Sequence, residues 1–446
     1  MSLIDSRVVI VGAGMGGLTC ALALAKKGFK DIEVYESASD LGFVGAGIQL
    51  APNLVRILTR LGCWDSVGAE ATDVKETSIR DGASNRELTH VYMPDIRKKY
   101  GYPHCTGHRA SLAGSLYEGC KKESGIKFKF GHTLQSVDTF SPDVKFTVKP
   151  RDGEAYQATA DVFLAADGIK SVARSALLSQ AGVVMDTEDT GQAAYRVLLS
   201  REDMASDPEM MELLDSNQVT RWIGEKRHWI AYPIASRTIY NMSSIQPDTN
   251  FADAPSMTYT TKGSKSAMLD VFSDFCPLIQ RMLNLVPDGE VCEWKLRSHK
   301  PLPTWSYGSL ALMGDACHPT LPHLNQGAAQ AVEDAVVLAE VLARVPVRSP
   351  EAINRSLKVY ELLRKDRTTM LVDLAAQSGK ALHLGEGEKK AERDRLFAAN
   401  KTNGGKVPDK WASPEVQEMI YSHDCISLVA EKFDELYREL ETKPSA

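Results

Sequence analysis

Two spacings of apolar residues alternate along the first forty positions. Arg7-Val8-Val9-Ile10-Val11 is a short continuous apolar run, as expected of a strand covered on both faces. Met15 to Lys27 is rich in Ala and Leu at helical spacing and stops at Gly28. Ile32-Glu33-Val34-Tyr35-Glu36 is a second strand pattern, so the pattern predicts a βαβ unit. Asn53 to Leu61, closed by Gly62, predicts another helix, and so does Arg109 to Lys122 with Leu112, Leu116 and Tyr117 on one side. Between these helices, Thr72 to Tyr102 is polar and irregular and predicts an excursion from the first domain. Lys127 to Lys149 alternates as antiparallel strands do, and Ala160 to Ala166 returns to a buried parallel strand.

From about residue 180 to 300 the period is two. Ala193–Leu199, Val219–Ile223, His228–Pro233 and Ile239–Ile245 predict one antiparallel sheet in a second domain. Ser309 to Met313 predicts a buried strand, and the chain after Asp315 is mostly helical. Gly385 to Lys406, charged and interrupted by glycine, predicts a mobile loop. The expected class is α/β. Residues 1–72, 103–178 and 300–345 would form a Rossmann-like nucleotide-binding domain, and 73–102 with 179–299 an inserted antiparallel-sheet substrate domain. Residues 346–446 would form a C-terminal helical region.

Composition narrows the partners. Apolar residues make up 43% and charged residues 25%, as in ordinary soluble globular proteins. A net charge of −6 argues against a nucleic-acid partner. No apolar run reaches the roughly 18 residues of a membrane span; the longest candidate, Ala335 to Val347, is broken by Glu340 and Arg344. No membrane partner and no secretory leader are expected. The eight cysteines form no CxxC pair, which predicts reduced thiols and a cytoplasmic location. Oligomeric state is not legible.

Three motifs carry chemistry. Gly12-Ala13-Gly14-Met15-Gly16-Gly17 fits GxGxxG between a strand and a helix: Gly12 for the turn, Gly14 for approach to a pyrophosphate, Gly17 for helix packing. Glu36 ends the next strand, 19 residues after Gly17, where a carboxylate can hold a ribose hydroxyl pair. Asp167-Gly168-Ile169-Lys170-Ser171-Val172-Ala173-Arg174 follows a strand end, with Arg174 at least as suited to bracing the loop as to binding phosphate. Gly314-Asp315-Ala316-Cys317-His318-Pro319 leads through Pro322 to Gly327 and Ala328, joining a strand to a helix.

GxGxxG, DGxxSxxR and GDAxHxxxPxxxxG occur here in the order seen in single-component flavin-dependent aromatic hydroxylases. The chain resembles their salicylate hydroxylase-like branch from Arg7 to about Trp411. The resemblance implies FAD as cofactor, with NAD(P)H and O2 as co-substrates and a flavin C4a-hydroperoxide as oxidant. It implies that Gly12, Gly14 and Gly17 hold the pyrophosphate, Glu36 the adenosine ribose, and Asp315 the ribityl chain. Gly327 and Ala328 would offer backbone N–H groups to the flavin. Asp167 belongs to the same cradle. The segment Gly45 to Asn53, including Ala46 and Gly47, resembles the loop beside the flavin, and His108-Arg109 the motif whose Arg109 reaches the cofactor. Only one full dinucleotide fingerprint is present, which suits transient NAD(P)H binding.

A phenolic substrate reacts best as phenolate, so a cation, a donor or a base is expected beside it. Arg196 and Tyr232 are the expected phenolate holders, with His228 as base or, equally, as a satisfied strand histidine. His228 and Tyr232 are four apart and share a strand face, whereas Tyr195 turns opposite to Arg196. No metal is expected: His318 and His323 have poor ligand geometry, and His104 with His108 lacks HExxH. His318 should bond within its loop and His323 should line the site. The expected function is hydroxylation or oxidative dearomatisation of a phenol, in the manner of fungal relatives acting on polyketide phenols. The alternatives are epoxidation of an isoprenoid alkene and redox sensing without catalysis.

Overall fold

The computed structural model describes residues 3–42, 46–185, 187–249, 260–345, 347–403 and 408–442. Gly45 and residues 404–406, which fall within expected loops, lie outside the described residues.

The βαβ unit forms as the pattern predicts: strand Arg7–Val11, helix Met15–Lys26, strand Asp31–Glu36. Arg7–Val11 pairs in parallel with Asp31–Glu36 on one side and Val162–Ala165 on the other, which explains its unbroken apolar run. The full sheet has six strands, ending in Leu310–Leu312 with the antiparallel Ser306–Tyr307 at one edge and Ile126–Phe130 at the other. Helix Gly327–Ala343 packs on the same core as Met15–Lys26, with Val332, Ala335 and Leu338 buried beside Leu18 and Leu22.

A second sheet of eight strands runs in the order Thr260–Lys262, Cys292–Ser298, Glu188–Ser200, Ile239–Pro247, Arg227–Ile234, Gln218–Gly224, Glu76–Asp81, Glu87–Tyr92. Its pairings are antiparallel except Gln218–Gly224 with Glu76–Asp81. One face buries Tyr195, Val197, Trp229 and Met242 under two short helices at 265–284. The other face carries Arg196, Ser243 and Tyr232, because successive strand residues point to opposite sides.

Three expectations change. Thr72 to Tyr102 is not irregular: Glu76–Asp81 and Glu87–Tyr92 form a hairpin at the edge of the second sheet. Its burial is shared between strands distant in sequence, so no regular period survives. Lys127 to Lys149 divides: Ile126–Phe130 joins the parallel sheet, and only His132–Thr139 with Val144–Pro150 pair antiparallel. Most of Gly385 to Lys406 is a helix, Glu388–Asn403, anchored by Phe397 against Ile79, Leu88 and Ile223 and by Arg393 donating to the Leu382 carbonyl at 3.2 Å. Arg393 also donates to the Ala381 carbonyl at 3.4 Å, and such tertiary contacts stabilise a helix that charge content alone concealed.

Behind the Gly327 helix lies a buried charge network. Arg364 donates to Asp334 Oδ1 at 2.8 Å and to Glu333, and Arg367 to Glu333 at 3.0 Å. Asn53 adds a bond to Glu333 at 2.7 Å. Burial alone would raise Glu333, but Arg367 and Arg364 hold it well below the carboxylate range.

Candidate active site

A cavity of about 500 Å³ lies between the parallel sheet and the Arg196 face of the second sheet. Gly14, Gly47, Arg109, Asp315, Gly327, Ala328, Arg196 and Tyr232 all line it. Residues as far apart in the chain as Gly14 and Ala328 are thus brought to one chamber. A smaller depression of about 320 Å³ beside Glu225 and Arg227 contains none of the expected site residues.

The glycines divide by geometry. Gly12 has φ +99°, and a Cβ there would lie 2.3 Å from the Ala166 carbonyl; one on Gly17 would lie 1.9 Å from the Gly12 carbonyl. Both are required by backbone contact and neither lines the cavity. Gly14 faces open space, with nothing within 4 Å of a Cβ. It opens the Met15 helix, whose first N–H groups and dipole favour an anion. Glu36 does not line the cavity; its carboxylate accepts from Ala13 N and Ala38 N, both at 2.8 Å, and so holds the turn next to Gly14.

Asp167 also stands behind the lining. Its Oδ2 accepts from Ala173 N at 3.2 Å at the start of the Val172–Gln180 helix, while Oδ1 is buried without a partner. Burial raises this carboxyl, against Ser171 and the helix amides. Arg174 is a brace, donating to the carbonyls of Ile169 at 2.7 Å and Ala316 at 3.2 Å. Asp315 turns its carboxylate into the cavity. Enclosure by protein raises its pKa, opposed by His318 and Arg109. Gly327 and Ala328 open the Gly327–Ala343 helix at the other end of the same chamber. Ala46 contributes its carbonyl, which accepts from Arg109 N at 2.8 Å.

Arg109 and Arg196 are two cations facing one cavity, and among the described residues neither guanidinium has an ion pair. Burial lowers both from the ordinary arginine value; Asp315 counters at Arg109, whereas Arg109 adds to the effect at Arg196. The Arg196 guanidinium lies over the Trp294 ring, 4.8 Å from its centre. Tyr232 is 5% exposed, and burial raises its phenol with Arg196 opposing, so it remains a protonated donor. Tyr195 lies on the opposite face, fully buried in the apolar layer.

His228 shares the face of Tyr232, as strand alternation requires, yet it does not line the cavity. Its Nδ1 is 2.6 Å from His383 Nε2, and its ring centre is 5.6 Å from that of His323. Burial depresses all three imidazoles, reinforced by His383 at His228 and His323, by Arg221 at all three, and by Arg393 at His383: His323 to about 3, His383 to about 4, and His228 well below its usual value. His323 is turned into this cluster rather than lining the site. His318 bonds Asp334 on the following helix rather than its own loop. Cys317, His318 and Asp334 sit within metal-ligand reach of one another. The Asp334 oxygens, however, already accept from Gly314 N, His318 and Arg364.

Sequence patterning missed Trp294, Asn241 and Ser243. The alternation Cys292-Glu293-Trp294-Lys295-Leu296-Arg297 was a legible strand signal for the first. Nothing local marked Asn241, whose Oδ1 accepts from Gly47 N at 2.7 Å.

A family model described as FAD binding domain matches residues 5–375. The chain is 31% identical over 398 residues to the FAD-dependent monooxygenase ntnJ of Nectria sp, covering 88% of each chain. It is 28% identical over 408 residues to a 3-hydroxybenzoate 6-hydroxylase of Polaromonas naphthalenivorans (strain CJ2), covering 91% of this chain and 94% of that one. Among solved structures, CtdE in complex with FAD and substrate superposes with a TM-score of 0.81 at 21% identity, over 98% of this chain and 100% of that one. A salicylate hydroxylase substrate complex gives 0.73 at 23% identity, over 99% of both. Among the described residues, no helix is long and apolar enough to cross a membrane.

Proposed function

Because the chain belongs to the FAD binding domain family, as a flavin-dependent monooxygenase, we propose that it oxygenates a phenol in the cavity shared by Asp315 and Tyr232. NAD(P)H and O2 are the co-substrates in this reading. The observation that carries it is the Arg196 guanidinium, which lines the cavity, has no carboxylate partner among the described residues and stands near protonated Tyr232.

The residues present fit FAD. The open space at Gly14 and the first turn of the Met15 helix suit a pyrophosphate, and Glu36 holds that turn in place. Asp315 offers a carboxylate to the ribityl hydroxyls, and Arg109 a cation inside the same chamber. Gly327 and Ala328 present a helix N-terminus to the negatively charged edge of a reduced flavin. Bound flavin supplies the redox chemistry and the activated oxygen.

At the other end, Arg196 stabilises a phenolate over a phenol by charge, and Tyr232 donates a hydrogen bond to the same oxygen. Raising electron density in the ring is what oxygen transfer to carbon requires. His228, bonded to His383 outside the lining, has no proton acceptor role in this arrangement. Epoxidation of an alkene would leave Arg196 and Tyr232 without a task. Eight free cysteines, seven of them buried, suit a reducing compartment, and we place the protein in the cytoplasm.

The test is O2-dependent NADH and NADPH oxidation with and without a panel of acyl-resorcinols and hydroxybenzoates, with products identified by mass spectrometry. Stimulation by a phenol is expected. Arg196→Met and Tyr232→Phe should retain flavin and lose at least tenfold in product formation, the effect of about 1.4 kcal/mol of lost stabilisation. Unchanged turnover in both variants would remove these residues from the site.

A further inference from the structure

Cations on the second sheet are mostly matched with carboxylates. Lys295 pairs with Asp189 at 2.9 Å and Asp248 at 3.1 Å, and Arg297 with Asp189 at 2.7 Å. Arg221, on the Gln218–Gly224 strand of the same sheet, sits on Asp409 at 2.9 Å with both side chains buried. Arg196 differs. It stands opposite Cys292 and Ser243 in the strand register, while Trp294 faces Ala194 two positions along. Trp294 is therefore its diagonal neighbour on the same face, and the two side chains meet at 4.8 Å.

We propose that Trp294 is the positioning residue for Arg196, its indole face holding the guanidinium flat where a carboxylate would otherwise sit. The two partners act differently on a ligand. A carboxylate would occupy the in-plane N–H donors and cancel the charge that a substrate oxyanion needs. An indole attracts the cation through its face and leaves all five donors, which lie in the guanidinium plane, directed outward. Trp294 and Arg196 both line the cavity, so those donors open towards the substrate space. The cross-strand neighbour Ser243 lines it as well, adding a hydroxyl beside the same guanidinium. The arrangement selects an oxyanion over a neutral phenol, and it rests on the assignment of Arg196 as phenolate holder.

The test uses FAD-loaded protein and 4-nitrophenol, whose ionised form is followed by its own absorbance across a pH series. Wild-type protein should ionise the bound probe at lower pH than free probe. Trp294→Leu should lose most of that shift and bind the phenolate about three- to tenfold more weakly, in the range of a cation–π contact, with flavin content unchanged. Trp294→Phe, which keeps an aromatic face, should recover part of the shift. A structural role alone would move stability without moving the ionisation of the probe. A full shift in Trp294→Leu together with none in Arg196→Met would overturn the role of Trp294. A full shift in Arg196→Met, or none in wild type, would instead overturn the phenolate assignment beneath it. Should Trp294→Leu lose flavin, Trp294→Met serves in its place with the same outcomes.

Discussion

The Gly47 amide donates to Asn241 Oδ1 at 2.7 Å, and this bond fastens the strand on the nucleotide side of the cavity to the sheet that carries Tyr232. Asn241 and Tyr232 face each other across two strands. A Cβ on Gly47 would lie 2.5 Å from Asn241 Cγ and 2.7 Å from Tyr232 Cε2. Gly47→Ala must therefore displace one of them. Overpacking of this kind disturbs a site by about 1–3 kcal/mol, and steady-state turnover should fall roughly tenfold or more while flavin stays bound. Wild-type turnover in Gly47→Ala would show that the two sheets are not coupled at this point.

Asp315 holds a carboxylate in the chamber between the two helix N-termini. Hydrogen bonds to a charged group contribute about 1.5–3 kcal/mol, so Asp315→Ala should weaken FAD binding by about 10- to 100-fold. Flavin fluorescence on titration of apoprotein measures this directly. Circular dichroism should remain that of wild type, since Asp315 makes no hydrogen bond to another described residue.

Arg364 is buried with Glu333 and Asp334 as partners. Removing it leaves Glu333 with Arg367 and Asn53, and Asp334 with His318 and the Gly314 amide, so each buried carboxylate loses a charged partner. Arg364→Met should lower stability by about 3–5 kcal/mol, read as a lower midpoint in urea. A loss below about 1 kcal/mol would mean that the network is effectively solvent-screened.

The histidine cluster sets a pH dependence. His228, His323 and His383 have folded-state values depressed below the ordinary imidazole, to about 3 and about 4 for His323 and His383. The unfolded chain therefore binds more protons than the folded one between those values and about 6.5, and stability is lost as pH falls through that window. Each such group contributes at most about 1.4 kcal/mol per pH unit. Urea midpoints at pH 7 and pH 5 should differ, and His323→Asn should reduce the difference. An equal difference in that variant would place the acid sensitivity elsewhere.

Much of the cofactor side was legible because its constraints are local. Gly12 needs its positive φ, Gly17 needs its close carbonyl, and the Met15 helix starts where the apolar run ends. Each follows from residues a few positions apart. The substrate side was legible only as alternation, which correctly put Arg196 and Tyr232 on one face and Tyr195 on the other. The partner of each side chain was not legible. His228 looked equally like a base beside Tyr232 or a satisfied strand histidine; it bonds His383, 155 residues later, because the end of the Pro350–Leu382 helix arrives at that strand. Glu388–Asn403 resembled a loop because the contacts of Phe397 and Arg393 that tie it down reach residues distant in the chain or beyond its own helical pattern.

By itself, then, the amino-acid order determined where strands, helices and sharp turns begin, and which residues share a face. Those properties depend on backbone conformation and on periods of two and 3.6. Only the tertiary structure decided that Arg196 rests on Trp294, that His228 leaves the cavity, and that Gly47 is tied to Asn241. Burial, charge compensation and hydrogen-bond pairing at those positions depend on distances between segments far apart in the chain, and no local pattern encodes them.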